Sequence, residues 1–118
     1  MFIFITHKFN IHICKQIKYC IFVAIMSNNK LKKARSKIDK LDNKIFNLIK
    51  QRTQIVKYML TLKQYKNQII DHRRIKEILI KLKKKSLRNN VDPRITEKIW
   101  KSMIWAYVHY QKRNFKKK

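Results

Sequence analysis

Two cations of the sequence, Arg52 and Lys63, stand where a helical pattern predicts apolar residues. The residues three and four positions away from Arg52 are all apolar: Leu48, Ile49, Ile55 and Val56. Because burying an unpaired guanidinium is costly, this position favours an anion supplied from outside the helix. Lys63 lies about three helical turns later, on nearly the same face. The pair therefore predicts an anion-binding groove.

The residues alone leave two alternatives open for this pair of cations. Arg52 meets an acid of the second helix or of a partner chain, or both long side chains run along the apolar surface and reach water. Few carboxylates of the same chain are available to pair with Arg52 and Lys63, because the whole chain has only six acids: Asp39, Asp42, Asp71, Glu77, Asp92 and Glu97.

The element that carries both cations is a long amphipathic helix. A stripe of positions three and four apart is apolar except at Arg52, which lies between Leu48 and Ile55; its apolar residues are Leu31, Ala34, Ile38, Leu41, Ile45, Leu48, Ile55, Met59 and Leu62. This heptad-like stripe predicts a first helix from about Asn29 to about Gln64, roughly 50 Å long. A helix of that length exceeds the core of one small domain. We expect a second copy of the chain to pack along it.

Two more helices are predicted, which makes the fold class all-α with one very long, one short and one medium helix. A polar connection from Tyr65 to Ile70 leads to a second helix that begins near Asp71 and ends at a cluster of basic residues. Its apolar face is Ile75, Ile78, Leu79 and Leu82, and Lys83 to Lys85 follow. After a turn at Asn89 and Asn90, Asp92 and Pro93 predict the N-terminus of the third helix. Its apolar face is Ile95, Ile99, Trp100, Met103, Ile104, Tyr107, Val108 and Gln111.

Composition narrows the class of protein. The 118 residues include no Gly and one Pro, so tight turns and nucleotide-cradling loops are disfavoured. A formal net charge of +25 indicates anionic partners, although the heavy use of Lys, Ile and Asn also fits AT-rich coding. Cys14 and Cys20 form no CxxC pair, so we expect no metal, no disulfide and a cytoplasmic location.

Residues 1–25 differ from residues 26–118, the segment predicted to form the helical domain. They are rich in Phe and Ile but follow no clear helical or alternating period. The apolar run from Ile21 to Met26 is too short for a signal-peptide centre or a membrane span. We interpret residues 1–25 as an appended segment, either an over-extended start before Met26 or a weak export signal.

The first predicted helix contains a specific motif: the run from Ala34 to Ile45 includes Arg-x2-Ile-Asp-x-Leu-Asp, and Arg52 and Lys63 follow it. This motif and its spacing resemble the first helix of the all-helical chorismate mutases. The resemblance covers about Lys30 to Phe115. It implies an intertwined homodimer in which Arg35 serves the pocket of the partner chain, while Arg52 and Lys63 serve their own.

The resemblance also implies roles for residues of the other two helices. Asp71 to Arg74 is similar to the family's Asp-x-x-Arg, which makes Arg74 a carboxylate-binding residue beside Arg35 and Arg52. Tyr107 and Gln111 match a pair spaced four residues apart, in which Gln111, together with Lys63, contacts the ether oxygen of the substrate. The implied reaction converts chorismate to prephenate in aromatic amino-acid biosynthesis and needs no cofactor.

Two positions depart from the mutase pattern and leave the substrate open. Ile75 stands where bacterial mutases usually have Glu, and Tyr107 replaces a small hydroxyl residue. An apolar residue at position 75, together with the stretch from Trp105 to Gln111, is more similar to the isochorismate pyruvate lyases of salicylate synthesis. The resemblance therefore implies a small dicarboxylate substrate, either chorismate or isochorismate.

Two further alternatives from other classes remain. A nucleic-acid-binding module would use the exposed lysines on phosphates, namely Lys32, Lys33, Lys83 to Lys85 and Lys116 to Lys118. No groove-reading motif accompanies these lysines, so neither nucleic acid nor a membrane is expected as a partner. The second alternative is a protein that keeps the mutase fold without turnover.

Overall fold

The computed structural model describes residues 2–116, with side chains from residue 15 onward, and this part of the chain is all-α. Helix α1 spans Phe2–Leu62, α2 spans His72–Arg88 and α3 spans Pro93–Asn114. A single turn of 3-10 helix, Lys66–Ile69, lies between α1 and α2. One very long, one short and one medium helix were predicted, and the prediction is confirmed.

The predicted start of the first helix was wrong, because α1 begins at Phe2 and not near Asn29. Residues 2–28 contain neither Gly nor Pro, so no residue in them strongly opposes a helix. An irregular apolar pattern removes the signal of an amphipathic face but leaves the backbone hydrogen bonds possible. Helix α1 also ends at Leu62, so Lys63 lies just beyond it. The origin of residues 1–25 stays a prediction.

The ends of α2 and α3 follow local chemistry. Asp71 caps α2, where its carboxylate accepts a hydrogen bond from the backbone N–H of Arg74 at 2.8 Å. Asp92 caps α3 in the same way, through the backbone N–H of Arg94 at 2.9 Å, and Pro93 occupies the first turn as predicted. Helix α2 continues three residues past the lysine cluster, to Arg88.

The chain divides into two units between Asn47 and Leu48. The first unit is the N-terminal part of α1 alone. The second unit contains the end of α1, the 3-10 turn, α2 and α3, and its buried apolar residues are Val56, Ile69, Ile104 and Val108. A partly buried hydrogen bond of 2.8 Å between the hydroxyls of Ser86 and Thr96 joins α2 to α3. Among the described residues, no helix has the length and apolar character needed to span a membrane.

Candidate active site

A pocket of about 270 Å³ lies within the second unit, between the end of α1, the 3-10 turn, α2 and α3. Every predicted site residue except Arg35 lines it: Arg52, Lys63, Asp71, Arg74, Ile75, Tyr107 and Gln111. The remaining lining residues are Val56, Met59, Gln68, Ile69, Ile78, Ile104 and Val108. Three cations and one carboxylate thus meet in a largely apolar pocket, an arrangement that suits a small anionic ligand.

A larger groove of about 390 Å³ lies between α2 and α3. Its charged residues are Lys76, Lys83 and Glu97, which are exposed. Among the described residues, the side-chain nitrogen that is buried without a hydrogen-bond partner belongs instead to Arg52, in the smaller pocket. The chemistry therefore favours the smaller pocket as the candidate site.

Arg52 is placed in the pocket by the face of α1 that packs on the rest of the second unit. That face consists of Arg52, Val56 and Met59, spaced four and three residues apart, and Lys63 follows directly after the end of the helix. Ile55, which the sequence pattern assigned to the stripe beside Arg52, is 60% exposed, whereas Val56 is 8% exposed. The Nε atom of Arg52 is buried and has no hydrogen-bond partner. Within residues 15–116 no ion pair involves Arg52, so the alternative in which Arg52 pairs with an acid of the second helix is not found.

Lys63 and Gln111 form a direct pair across the pocket. The Nζ atom of Lys63 donates a hydrogen bond of 2.7 Å to Oε1 of Gln111. The amide nitrogen of Gln111 also donates to the carbonyl oxygen of Tyr107, at 3.3 Å. Burial lowers the pKa of Lys63 below its ordinary value, and the negative charge of Asp71 opposes this shift. Both side chains keep N–H groups that can donate a hydrogen bond to a ligand oxygen.

Asp71 and Arg74 line the opposite wall at the start of α2. The carboxylate of Asp71 is held by its cap on the α2 backbone, which leaves its charge near Lys63. The guanidinium of Arg74 lies 3.6 Å from Glu77, an exposed ion pair that also includes Arg73 at 3.5 Å. Such pairs contribute little stability, so they leave Arg74 able to turn towards a ligand.

Tyr107 contacts both Arg52 and the backbone of α1. The guanidinium carbon of Arg52 lies 5.4 Å from the centre of the Tyr107 ring, within the range of a cation–π contact. The phenol oxygen lies 2.8 Å from the hydroxyl of Thr53 and 3.2 Å from the carbonyl oxygen of Ile49. The sequence pattern gave no reason to select Thr53, because only the contact between α1 and α3 reveals it.

Gln68 is the second site residue that the sequence did not indicate. Its side-chain oxygen accepts hydrogen bonds from the backbone N–H groups of Gln64 and Tyr65, at 2.8 and 3.0 Å. These bonds close the turn directly after Lys63 and so hold that lysine at the pocket. Arg35 lies on the exposed N-terminal part of α1, in the first unit, and forms no ion pair with Asp39 in the described part of the chain.

The helices and the pocket define an all-helical protein with a small site lined by three cations. Residues 34–112 match the family model described as Chorismate mutase type II. The match spans more than half of the chain, so the chain belongs to the chorismate mutase type II family, as the resemblance predicted. This family comprises isomerases that bind a chorismate-like substrate. Comparisons with curated proteins and with solved structures found no significant match.

Proposed function

We propose that this chain is a chorismate mutase, which rearranges chorismate to prephenate in aromatic amino-acid biosynthesis in the cytoplasm. The observation that carries the proposal is the buried Nε of Arg52, which has no partner in a pocket that also holds Arg74, Lys63 and Gln111. An unsatisfied buried donor costs about 1–3 kcal/mol, and a bound carboxylate would recover this cost. Membership of the chorismate mutase type II family supports a chorismate-like dicarboxylate as this ligand.

The proposed mechanism relies on shape and charge. In the rearrangement the ether C–O bond breaks as a new C–C bond forms in one pericyclic step, so no nucleophile and no proton transfer are required. Arg52 and Arg74 bind the carboxylates through forked, charge-assisted hydrogen bonds and hold the substrate in its compact conformer. Lys63 and Gln111, which already contact each other at 2.7 Å, donate to the ether oxygen as negative charge develops on it.

The site is completed by a second copy of the chain in this proposal. Arg35 of one subunit binds a substrate carboxylate in the pocket of the other, as the family resemblance implies. The exposed apolar stripe on α1 supports such a dimer, because Ile38, Leu41 and Ile45 are each 55% exposed in the single chain. A row of half-exposed large apolar residues at helical spacing is suited to a partner helix.

The test is the loss of chorismate, followed by absorbance with the purified chain. We expect Arg52→Ala and Lys63→Ala each to lower kcat/KM by roughly 100- to 1,000-fold, the usual effect of removing a preorganised donor. Lys57→Ala is the matched control, since Lys57 is an exposed cation of α1 that does not line the pocket. Absence of prephenate at any enzyme concentration, or equal losses in all three variants, would exclude the proposed role.

One observation favours isochorismate pyruvate lyase as a second candidate. Ile75 lines the pocket where mutases of this family usually carry a glutamate for the substrate hydroxyl. An apolar wall there disfavours that contact. Release of pyruvate from isochorismate, measured beside the mutase assay with the same variants, distinguishes the two. Pyruvate release that exceeds prephenate formation would replace the mutase assignment by the lyase.

A further inference from the structure

The guanidinium of Arg52 contacts an aromatic ring, and its buried Nε forms no hydrogen bond. Its Nε is buried without a partner, yet its central carbon lies 5.4 Å from the ring centre of Tyr107. A guanidinium over an aromatic face is attracted to the ring while its N–H groups remain unused. The ring of Tyr107 can therefore orient Arg52 without competing for the donors that a carboxylate needs.

The ring of Tyr107 is itself tied to the turn of α1 that carries Arg52. Its hydroxyl lies 2.8 Å from that of Thr53, whose oxygen lies 2.8 Å from the carbonyl oxygen of Ile49. The phenol also lies 3.2 Å from that same carbonyl. Two hydroxyl protons serve these three contacts, and the two shorter distances fit a chain in which Tyr107 donates to Thr53 and Thr53 donates to Ile49.

We infer that Thr53 is a positioning residue for substrate binding, acting through Tyr107 on Arg52. The hydroxyl of Thr53 holds the phenol, the phenol holds the ring, and the ring holds the position of the guanidinium that receives the carboxylate. This inference rests on the proposed function, since it assigns Arg52 to the substrate. It also implies that the hydroxyl of Tyr107 is bonded to α1, and that the ring of Tyr107, not its hydroxyl, contacts Arg52.

The alternative is that Thr53 and Tyr107 only join α3 to α1. A purely structural bond would change the stability of the fold and leave the substrate affinity of the remaining folded protein unchanged. A positioning bond acts on KM through Arg52 alone. The two cases are therefore distinguished by comparing the effect of a change at Thr53 on KM and kcat/KM in the presence of Arg52 and in its absence.

The central variant is Thr53→Val, which keeps the branched shape and removes the hydroxyl. We expect KM for chorismate to rise roughly 3- to 10-fold, with kcat changed less than about twofold. The reason is that the hydrogen bond that positions the Tyr107 ring beside Arg52 is lost, while the direct contacts to the substrate remain. Thr53→Ser should restore KM. Tyr107→Phe should match Thr53→Val, and the double variant should be no worse than either, since both remove the same bond.

Two controls make the result specific. Thr61→Val removes another threonine hydroxyl of α1, one that bonds to the carbonyl oxygen of Tyr58 and does not line the pocket, and it should leave KM unchanged. In an Arg52→Lys background, Thr53→Val should have no further effect on kcat/KM, because the planar fork is absent. An unchanged KM in Thr53→Val, or an equal loss in the Arg52→Lys background, would overturn the inference.

Failure of the proposed function gives a different result. A wild-type chain without turnover contradicts the mutase assignment, and chorismate affinity measured by calorimetry then takes the place of KM. Weaker chorismate binding in Thr53→Val than in Thr61→Val would still support the positioning role. Equal binding in the two variants would contradict it, provided that both unfold at the wild-type temperature.

Discussion

Lys63 experiences two opposing electrostatic effects at the edge of the pocket. Partial burial disfavours its charged form and lowers its pKa, while the carboxylate of Asp71 favours the charge and raises it, with burial the larger effect. The proposed chemistry needs the charged form, because only an ammonium group donates strongly to the ether oxygen. The activity of the free enzyme should therefore depend on the protonation of Lys63.

This balance predicts the pH dependence of kcat/KM, which reports the ionisation of the free enzyme. Activity should fall as pH rises through the pKa of Lys63, at a pH below the range of an ordinary lysine. Asp71→Asn removes the charge that supports the ammonium, so the alkaline limb should move to still lower pH. Asparagine remains a good N-cap, and α2 is therefore kept intact.

Asp92→Asn is the control for this prediction, because Asp92 caps α3 by the same kind of bond but does not line the pocket. Its pH profile should match that of the wild type. A profile of Asp71→Asn that coincides with both, or that moves to higher pH, would show that the alkaline limb does not belong to Lys63.

Part of the site was predictable from single residues. Arg52 and Lys63 stand out in the sequence as charges in an apolar pattern, and both line the pocket. The bond between Thr53 and Tyr107 could not be predicted, since it joins residues 54 positions apart whose side chains fit many local environments. Gln68 was missed for another reason, because its hydrogen bonds depend on the backbone of an irregular turn.

At the scale of elements, the helix ends with specific chemistry were the easiest to predict. Asp92 followed by Pro93 marked the start of α3 correctly, because a cap and a fixed backbone angle act locally. The start of α1 was misplaced, because residues 2–28 contain no Gly or Pro that would break a helix, and Ser27 and Asn28 lie within the helix instead of capping it. Lys83 to Lys85 complement a helix C-terminus without ending it, and α2 continues to Arg88.

The turn between α2 and α3 contains the positive backbone angle that ends α2. Asn90 has φ of 54°, a left-handed conformation that favours Gly and tolerates Asn. The backbone N–H of Val91 bonds to the carbonyl of Ser86 at 3.0 Å, and that of Asn90 to Leu87 at 3.5 Å. This is the hydrogen-bond pattern of a Schellman motif, which satisfies the last carbonyls of α2.

Asn90 therefore gives a stability prediction. Asn90→Gly should raise the free energy of unfolding by about 0.5 kcal/mol, and Asn90→Ala should lower it by about 1 kcal/mol, because only the former relaxes the left-handed angle. Asn89→Gly is the matched control. Asn89 has φ of −107° and its side chain donates to the carbonyl of Lys85 at 2.7 Å, so glycine should bring no gain there. Urea unfolding measures all three; equal effects at positions 89 and 90 would contradict the argument.

At the scale of the whole molecule, the single chain leaves its apolar pattern largely uncovered. Only four apolar residues are buried among residues 15–116, and no side chain in that range is fully buried. The stripe residues about half or more exposed are Leu31, Ile38, Leu41, Ile45, Leu48, Ile55, Met59 and Leu62. A chain with so small a core is expected to gain stability by association, and the regular stripe predicts a second copy as the partner.

The proposed exchange of Arg35 between subunits can be tested with mixed dimers. Arg35→Ala and Arg52→Ala should each inactivate the homodimer, since every site lacks one arginine. A mixed dimer has one site with both arginines and one with neither. After the two variants are unfolded together and refolded, we expect about a quarter of wild-type activity, because half of the dimers are mixed and each has one intact site.

The matched mixture combines Arg52→Ala with Lys63→Ala. These two residues line the same pocket of one chain, so a mixed dimer of these variants has one defect in each site and no intact site. This mixture should regain no activity. Recovery in both mixtures would indicate subunit contributions other than the one proposed. Recovery in neither, with dimers verified by sedimentation, would mean that Arg35 does not act in the partner's pocket and that each chain binds its substrate alone.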